Sequence, residues 1–245
     1  STLSVASGRI SYALGLMGPC VSYDTACSAA LAACHAALRA MQNDECVDSL
    51  VTGASVMLLP GTAFAFATAG MTSANGHCHT FDSRADGYCR GEAICGVTLR
   101  ARMNTTYYQL PLIGSCVRQD GKSASLTAPN GQAQRALLRA ALADGGVEAA
   151  ALSCYEAHGT GTPLGDPIEV RSMAAAVLAA RDPSAPLSVG SLKANCGHAE
   201  PAAGLAGLLR LAMGLIERRA PPNAQLRRIN PHVGSAVEGL SLIHI

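Results

Sequence analysis

"LSCYEAHGTGTPLGDPIEVRSMAAAVLAAR", residues 152–181, decides the fold class. Residues 152–158 read as a strand and 159–165 as a Gly/Thr-rich turn. Residues 166–181 read as a helix, with Asp166 as N-cap and Pro167 at the first helical position. The same succession recurs along the chain. Strands are expected at 20–26, 48–58 (broken at Gly53), 94–102, 110–119 and 187–192. Helices are expected at 28–41, with Leu31, Cys34, Leu38 and Met41 on one face, at 130–146 between Pro129 and Gly145-Gly146, and from about Ala202 to Arg219. Residues 64–71 form a short apolar segment, and 73–92, rich in Gly, Asp and Asn, a long functional loop. Strands alternating with helices predict an α/β fold with a mostly parallel sheet, whose ligands sit at the carboxyl ends of the strands. Those ends carry Cys27, His158 and His198.

Composition narrows the class. The chain has 245 residues, 49% of them hydrophobic, enough for one large domain or two small ones. Its 18 Lys and Arg against 17 Asp and Glu give a net charge of +1, which offers nucleic acid no basic footprint. Ten cysteines at irregular spacing, in a long apolar chain, argue for free thiols in a reducing compartment rather than a disulfide scaffold. The opening "STLSVASGRI" has no basic stretch leading into an apolar one and reads as the interior of a domain. No apolar run reaches membrane-spanning length without Gly, Pro or charge. A cytoplasmic protein is expected, with an upstream targeting segment left open.

Each junction has a bland and a reactive reading. Cys27, in "SYDTACSAALAACHAAL" (22–38), reads equally as a buried structural thiol or as a nucleophile. As a nucleophile, its thiolate is favoured by the helix dipole, its small neighbours admit a substrate carbonyl, and its own N–H aims at an oxyanion. In "YEAHGTGTPLGDPIE" (155–169), Gly159, Gly161 and Gly165 let the backbone approach a ligand, and Thr160 and Thr162 offer hydroxyls. The bland alternative is a glycine turn with a solvent-facing histidine. In "GSLKANCGHAEPAAGLAGL" (190–208), Lys193 and His198 follow a strand; a surface lysine and a residue near a helix N-terminus are the alternatives.

Together these motifs resemble the β-ketoacyl synthase family of polyketide and fatty-acid synthases. "DTACSAA" is similar to its nucleophile motif, "EAHGTGTPLGDPIE" to its first histidine motif and "KANCGHAEPAAG" to its second. "GMTSANGHCHTFDSRADGYCRGE" and "VRQDGKSASLTAPNGQAQ" match two further landmarks in order, and their wording is closest to modular polyketide synthases. The resemblance runs from Ser4 to about Pro231. It implies a thiolase-like layered α/β/α/β/α core, truncated at both ends. Residues 1–109 would be the C-terminal part of the first half, with the nucleophile, and 110–245 the second half, with both histidines.

The resemblance also implies roles. Cys27 would accept the acyl group, and His158 and His198 would stabilise the enolate left when a malonyl unit loses carbon dioxide. Lys193, paired with Glu169, would set the electrostatics, and Thr160 and Thr162 would contact a phosphopantetheine arm. No metal or bound cofactor is implied. Substrates would arrive on the phosphopantetheine of an acyl carrier protein, and the enzyme would be a homodimer without nucleic-acid or membrane partners. The reaction would be decarboxylative Claisen condensation. Against the family pattern, the chain starts inside the domain and shows no Gly-Phe-Gly after Pro231. Its tail, "VGSAVEGLSLIHI", is unlike the family, and 99–110 is short. "CSAA" has Ala where Ser is frequent, and Cys196 and Pro201 are unusual.

Three other readings compete. One is a metal site from His77, Cys78, His79, Cys89 and Cys95, whose spacing lacks the regular pairs of zinc sites. Another is a non-catalytic or truncated condensing-enzyme relative acting as a structural partner, of which loss of Cys27 would be the sign. The last is a Cys/His hydrolase, for which no third orienting residue is evident.

Overall fold

The computed structural model describes residues 2–101, 110–125, 127–182, 184–185, 187–236 and 240–242. The first helix, α1 (Ala6–Leu14), ends at Gly15 in the left-handed conformation. The stretch 20–26, expected to be a strand, is extended but joins no ladder. Side chains hold it to α1 instead, through Ser22 with the N–H and hydroxyl of Ser7 and through Ser11 with Cys20. A 3-10 turn, Ala26–Ser28, then leads into α2 (Ala29–Gln42).

The buried face of α2 is Ala29, Ala30, Cys34, Ala37 and Met41. It shares Cys34 and Met41 with the expected face, but Leu31 is exposed. The reason is steric: alanines let the helix axis approach its neighbours, while Leu31 leans over Gly204, where a Cβ would meet its Cγ at 2.6 Å.

Next come β1 (Asp48–Ser55), α3 (Pro60–Thr68) and β2 (Ala93–Arg100). β1 and β2 pair antiparallel from Asp48 opposite Arg100 to Ser55 opposite Ala93. Gly53 therefore sits within an unbroken strand. The expected strand at 110–119 has no ladder partner either. Its backbone is held by the end of α4 (Gly131–Asp144), where Asp144 accepts the Ser115 N–H at 2.9 Å. α4 starts where expected, with the Asn130 side chain accepting the N–H groups of Gln132 and Ala133. The segment between Leu99 and Leu110, expected to be short, lies largely outside the described residues.

The remaining elements are β3 (Cys154–Glu156), α5 (Gly165–Ala176), β4 (Leu187–Gly190), α6 (Lys193–Cys196), α7 (Ala203–Glu217), α8 (Pro231–Gly234) and β5 (Leu240–Leu242). Their sheet has the order β3-β4-β5 and is parallel throughout. The parallel expectation thus holds for this sheet and fails for the β1–β2 pair. The tail that departs from the family pattern contributes its third strand. Asp166 is not the cap of α5: Leu164 occupies that place, and Asp166 lies in the first turn. Its buried carboxylate accepts the N–H groups of Phe81 at 2.8 Å and Gly161 at 3.1 Å. The side chain is committed to closing a contact 85 residues away rather than to its own helix.

α7 touches β1, β2 and β3, so it lies between the two sheets, with α2 beside it against β1. One core, Ala30, Cys34, Ala37, Val51 and Leu205, fills the space between α2, α7 and β1. The other, with Phe81, Val170, Met173, Leu187 and Val189, fills the far side of the parallel sheet under α5, which packs on α4. At the centre, Gly53 is pressed between α2 and the turn before α7. A Cβ there would lie 3.1 Å from the Ala202 Cα and 3.2 Å from the Ala30 Cβ. Gly53→Val, although favourable in intrinsic strand preference, is expected to lower stability by about 1–3 kcal/mol through overpacking. A urea-unfolding midpoint equal to that of the unsubstituted protein would show that the three backbones are not confined there.

Candidate functional site

Cys27 sits in the middle of the 3-10 turn before α2. Ala26 holds φ at 52°, a left-handed conformation that costs a residue with a Cβ and pushes the next side chain out of the helix line. Asp24 accepts the Ala26 N–H and the Thr25 carbonyl accepts the Ser28 N–H. The N–H of Cys27 has no acceptor among the described residues, so it is free to donate. The thiol is half-buried.

His158 follows β3, whose line continues as the Ala157 N–H donates to the Gly190 carbonyl at 2.8 Å. Glu169, one turn into α5, reaches back with its carboxylate. Its two oxygens accept the consecutive N–H groups of His158 at 2.6 Å and Gly159 at 2.8 Å. Thr80 donates to the Gly159 carbonyl. Gly161, at φ 78°, lies so close to the loop of residues 73–92 that a Cβ would meet the His79 nitrogen at 2.6 Å.

His198 is gripped by that same loop. Its N–H donates to the Cys89 carbonyl at 2.7 Å, and its carbonyl accepts the Gly91 N–H at 2.8 Å, a parallel bridge centred on Arg90. Its Nδ1 accepts the Glu200 N–H at 3.2 Å. A backbone amide can only donate, so the neutral ring carries its proton on Nε2. Tyr88 stands edge-on to this imidazole with centroids 5.1 Å apart, and His158 stands edge-on from another side at 5.5 Å.

Three residues 131 and 40 positions apart in sequence therefore meet. One reactive atom each from Cys27, His158 and His198 lies within 4.8 Å of the other two. The cluster is open at the surface; two hollows lined by Lys122 and Arg135, and by Tyr155 and Pro221, lie elsewhere and contain none of its members.

Lys193 opens α6 and is buried. Among the described residues it makes no ion pair with Glu169, contrary to expectation; the two Glu169 oxygens accept backbone amides instead. Its charge acts at longer range. Burial and then Lys193 hold His198 down at about 3, and the same two causes, in the same order, lower His158, whose ring is more open to water. Burial raises Asp166 to about 7 and also raises Glu169 and Glu156. Thr160 is buried, 3.4 Å from the Thr162 hydroxyl, which in turn accepts the Gly165 N–H.

Two family profiles match the chain: the β-ketoacyl synthase N-terminal domain over residues 1–103 and the C-terminal domain over 111–227. This chain belongs to the β-ketoacyl synthase family. A protein of the spectinabilin polyketide synthase system of Streptomyces orinoci is 44% identical over 94% of the chain. An erythronolide synthase of Saccharopolyspora erythraea is 40% identical over 98% of it. The chain spans 6% and 8% of the lengths of these two relatives. An oxazolomycin ketosynthase domain of Streptomyces albus superposes on the whole chain with a TM-score of 0.94 at 31% identity, the chain covering 43% of it. A ketosynthase from module 6 of the Bacillus subtilis bacillaene synthase does so with a TM-score of 0.91 at 31% identity, with 44% covered. The chain thus has the thiolase-like α/β fold of these structures.

Among the described residues the cysteines and histidines of the loop do not gather into a group that could hold one ion. Cys78 accepts the Cys89 N–H, and Cys95 donates to the Gly53 carbonyl. Cys27, His158 and His198 are the group within reach of one ion among the described residues. The Glu200 N–H already occupies the His198 Nδ1 lone pair, and ligation through Nε2 would require the other tautomer against that donor. All ten cysteines are free thiols. No helix among the described residues is long and apolar enough to cross a membrane.

Sequence reading singled out the three reactive residues but gave no role to Tyr88, Arg90 or Glu200. The density of "DSRADGYCRGE" marked the loop as functional, yet nothing in it revealed that its strand-like end pairs with His198. With their pKa lowered, both imidazoles are neutral across the neutral range. Unfolded histidine protonates near 6.5; each ring therefore lends full stability above that pH and loses it as pH falls towards the folded value. In histidine-labelled NMR spectra the His198 signals are expected to stay constant from pH 8 to pH 5. Titration with a midpoint near 6.5 would show that the ring is not desolvated.

Proposed function

We propose that this site carries out decarboxylative Claisen condensation through an acyl-Cys27 intermediate. The observation that supports it is the meeting of one thiol with two imidazoles, of which His198 accepts at Nδ1 and so carries its proton on Nε2. The Cys27 sulfur attacks the carbonyl of an acyl thioester, a carbon–sulfur bond forms, and the displaced thiol leaves with a proton. A malonyl thioester then loses carbon dioxide. The electron pair of the broken bond passes to the thioester oxygen, where the N–H groups of His158 and His198 receive the charge. The enolate carbon attacks the acyl-Cys27 carbonyl, whose oxygen faces the free Cys27 N–H. That attack forms the carbon–carbon bond, and collapse of the tetrahedral oxyanion breaks the bond to the Cys27 sulfur, which leaves as the thiolate.

Neutral rings suit this work. A charged imidazolium would trap the enolate as a salt and would also cost desolvation at the buried His198 ring. Burial, and then the charge of Lys193, keeps them neutral. Glu169 serves as the anchor of the His158 backbone rather than as an ion-pair partner. Residues 1–109 and 110–245 are read as two thiolase-like halves that contribute nucleophile and histidines respectively. Thr162 is the more accessible of the two hydroxyls for a phosphopantetheine arm delivered by an acyl carrier protein. The polyketide synthase relatives favour polyketide over fatty-acid elongation, in a homodimer as the family resemblance suggests. The alternative of a non-catalytic relative is disfavoured by the intact constellation.

Incubation with an acyl thioester followed by peptide mass spectrometry is expected to place the acyl group on Cys27 and to find none in Cys27→Ala. His198→Ala should still acylate while condensation falls roughly 10²–10³-fold. Acylation of a different cysteine with Cys27 left free would refute the assignment.

A further inference from the structure

We propose that the buried Arg90–Glu200 ion pair is a positioning device that fixes the tautomer and aim of His198. The inference rests on the function proposed above for His198, and extends it to two residues that touch no reacting atom.

Four observations converge on it. The Arg90 guanidinium donates in parallel to both carboxylate oxygens of Glu200, Nε to Oε1 at 2.8 Å and Nη2 to Oε2 at 3.2 Å. Both side chains are largely buried, at 12% and 18% exposure, so the pair is not a loose surface contact. Glu200 is held at φ 42°, a left-handed conformation that a residue with a Cβ does not choose unaided. In that conformation, and two residues beyond the histidine, its N–H points back to the His198 Nδ1. The pair therefore explains why a glutamate occupies a position whose backbone suits glycine.

Arg90 is itself fixed. Its backbone forms the bridge to His198, and its guanidinium lies 5.4 Å over the Phe66 ring. One short run, residues 88–91, thus supplies the carbonyl and N–H that grip the His198 backbone, the Tyr88 ring that limits rotation of the imidazole, and the cation that holds Glu200. Without the pair, Glu200 is free to relax to negative φ. Nδ1 then loses its obligatory donor, and the ring is able to move its proton from Nε2 to Nδ1, presenting a lone pair instead of a donor to the shared space.

The test compares Glu200→Ala, Glu200→Gly and Arg90→Lys in the purified protein. The readouts are the His198 tautomer from two-bond ¹⁵N correlations (assigned with His198→Ala), the rate of Cys27 acylation, and the rate of condensation. Expected is a protein with the Nε2–H tautomer before substitution. Glu200→Ala should then show Nδ1–H signal, condensation reduced roughly 10- to 100-fold, short of losing the donor altogether, and acylation within about twofold. Glu200→Gly, free to adopt positive φ without the ion pair, should recover most of the loss. Should Glu200→Ala fail to fold, Arg90→Lys, which keeps the charge but loses the two-pronged geometry, reads the same quantities. An unchanged tautomer and unchanged condensation in the folded variants would overturn the proposal, as would Glu200→Gly being no better than Glu200→Ala. Failure of the unsubstituted protein to acylate Cys27 would instead overturn the function, with the tautomer measurement still deciding the role of the pair.

Discussion

The close approach of Ala30, Gly53 and Ala202 governs everything else in this molecule. Three backbones, from a helix, a strand and a turn, come together with no room for a larger side chain between them. The helix is the one that Cys27 precedes, and the turn is the one that follows His198. Their contact carries the thiol and the second imidazole into one place, and the 3-10 turns at 26–28 and 200–202 touch as a result. The nucleophile and its partners are neighbours because small residues allow neighbouring axes.

The site is then held by backbone amides bound to buried carboxylates. Glu169 receives those of His158 and Gly159, Asp166 those of Phe81 and Gly161, and Glu156 that of Leu192 while also pairing with Arg210. Asp82, wholly buried, accepts from Arg84 and from the amides of Arg227 and Arg228, and these donors hold it far below the usual carboxylate range. A carboxylate can accept several N–H groups at fixed angles, which a hydroxyl or amide side chain cannot match. Positioning the reactive histidines is therefore delegated to residues that never face the substrate space.

Much of this was legible beforehand. α2, α4 and α7 announce themselves by composition and helical spacing, and His158 by its place just after β3. Other features were not. The runs at 20–26 and 110–119 have strand composition, but composition carries no information about a pairing partner, and hydroxyls and a helix end satisfy their backbones instead. Asp166 followed by Pro167 is a sound cap signal, overridden because its carboxylate is needed by Phe81. Gly53 looked like an interruption because a glycine in a strand pattern does not say whether it breaks the strand or admits a neighbour. The roles of Tyr88, Arg90 and Glu200 depend on a pairing between segments a hundred residues apart, which local pattern does not encode.

The antiparallel pair β1–β2 has a consequence for handling the protein. Two strands alone are marginal in water, and this ribbon is supported on one face by α2 and α7. On the other face it displays Ile94, 79% exposed, with Val47, Leu58 and Leu59 close to its ends. Among the described residues no third strand pairs with either of its outer edges. An unpaired edge beside exposed aliphatic groups is a template for intermolecular sheet growth. A lysine in place of Ile94 would set a charge on this face and discourage self-association through the ribbon.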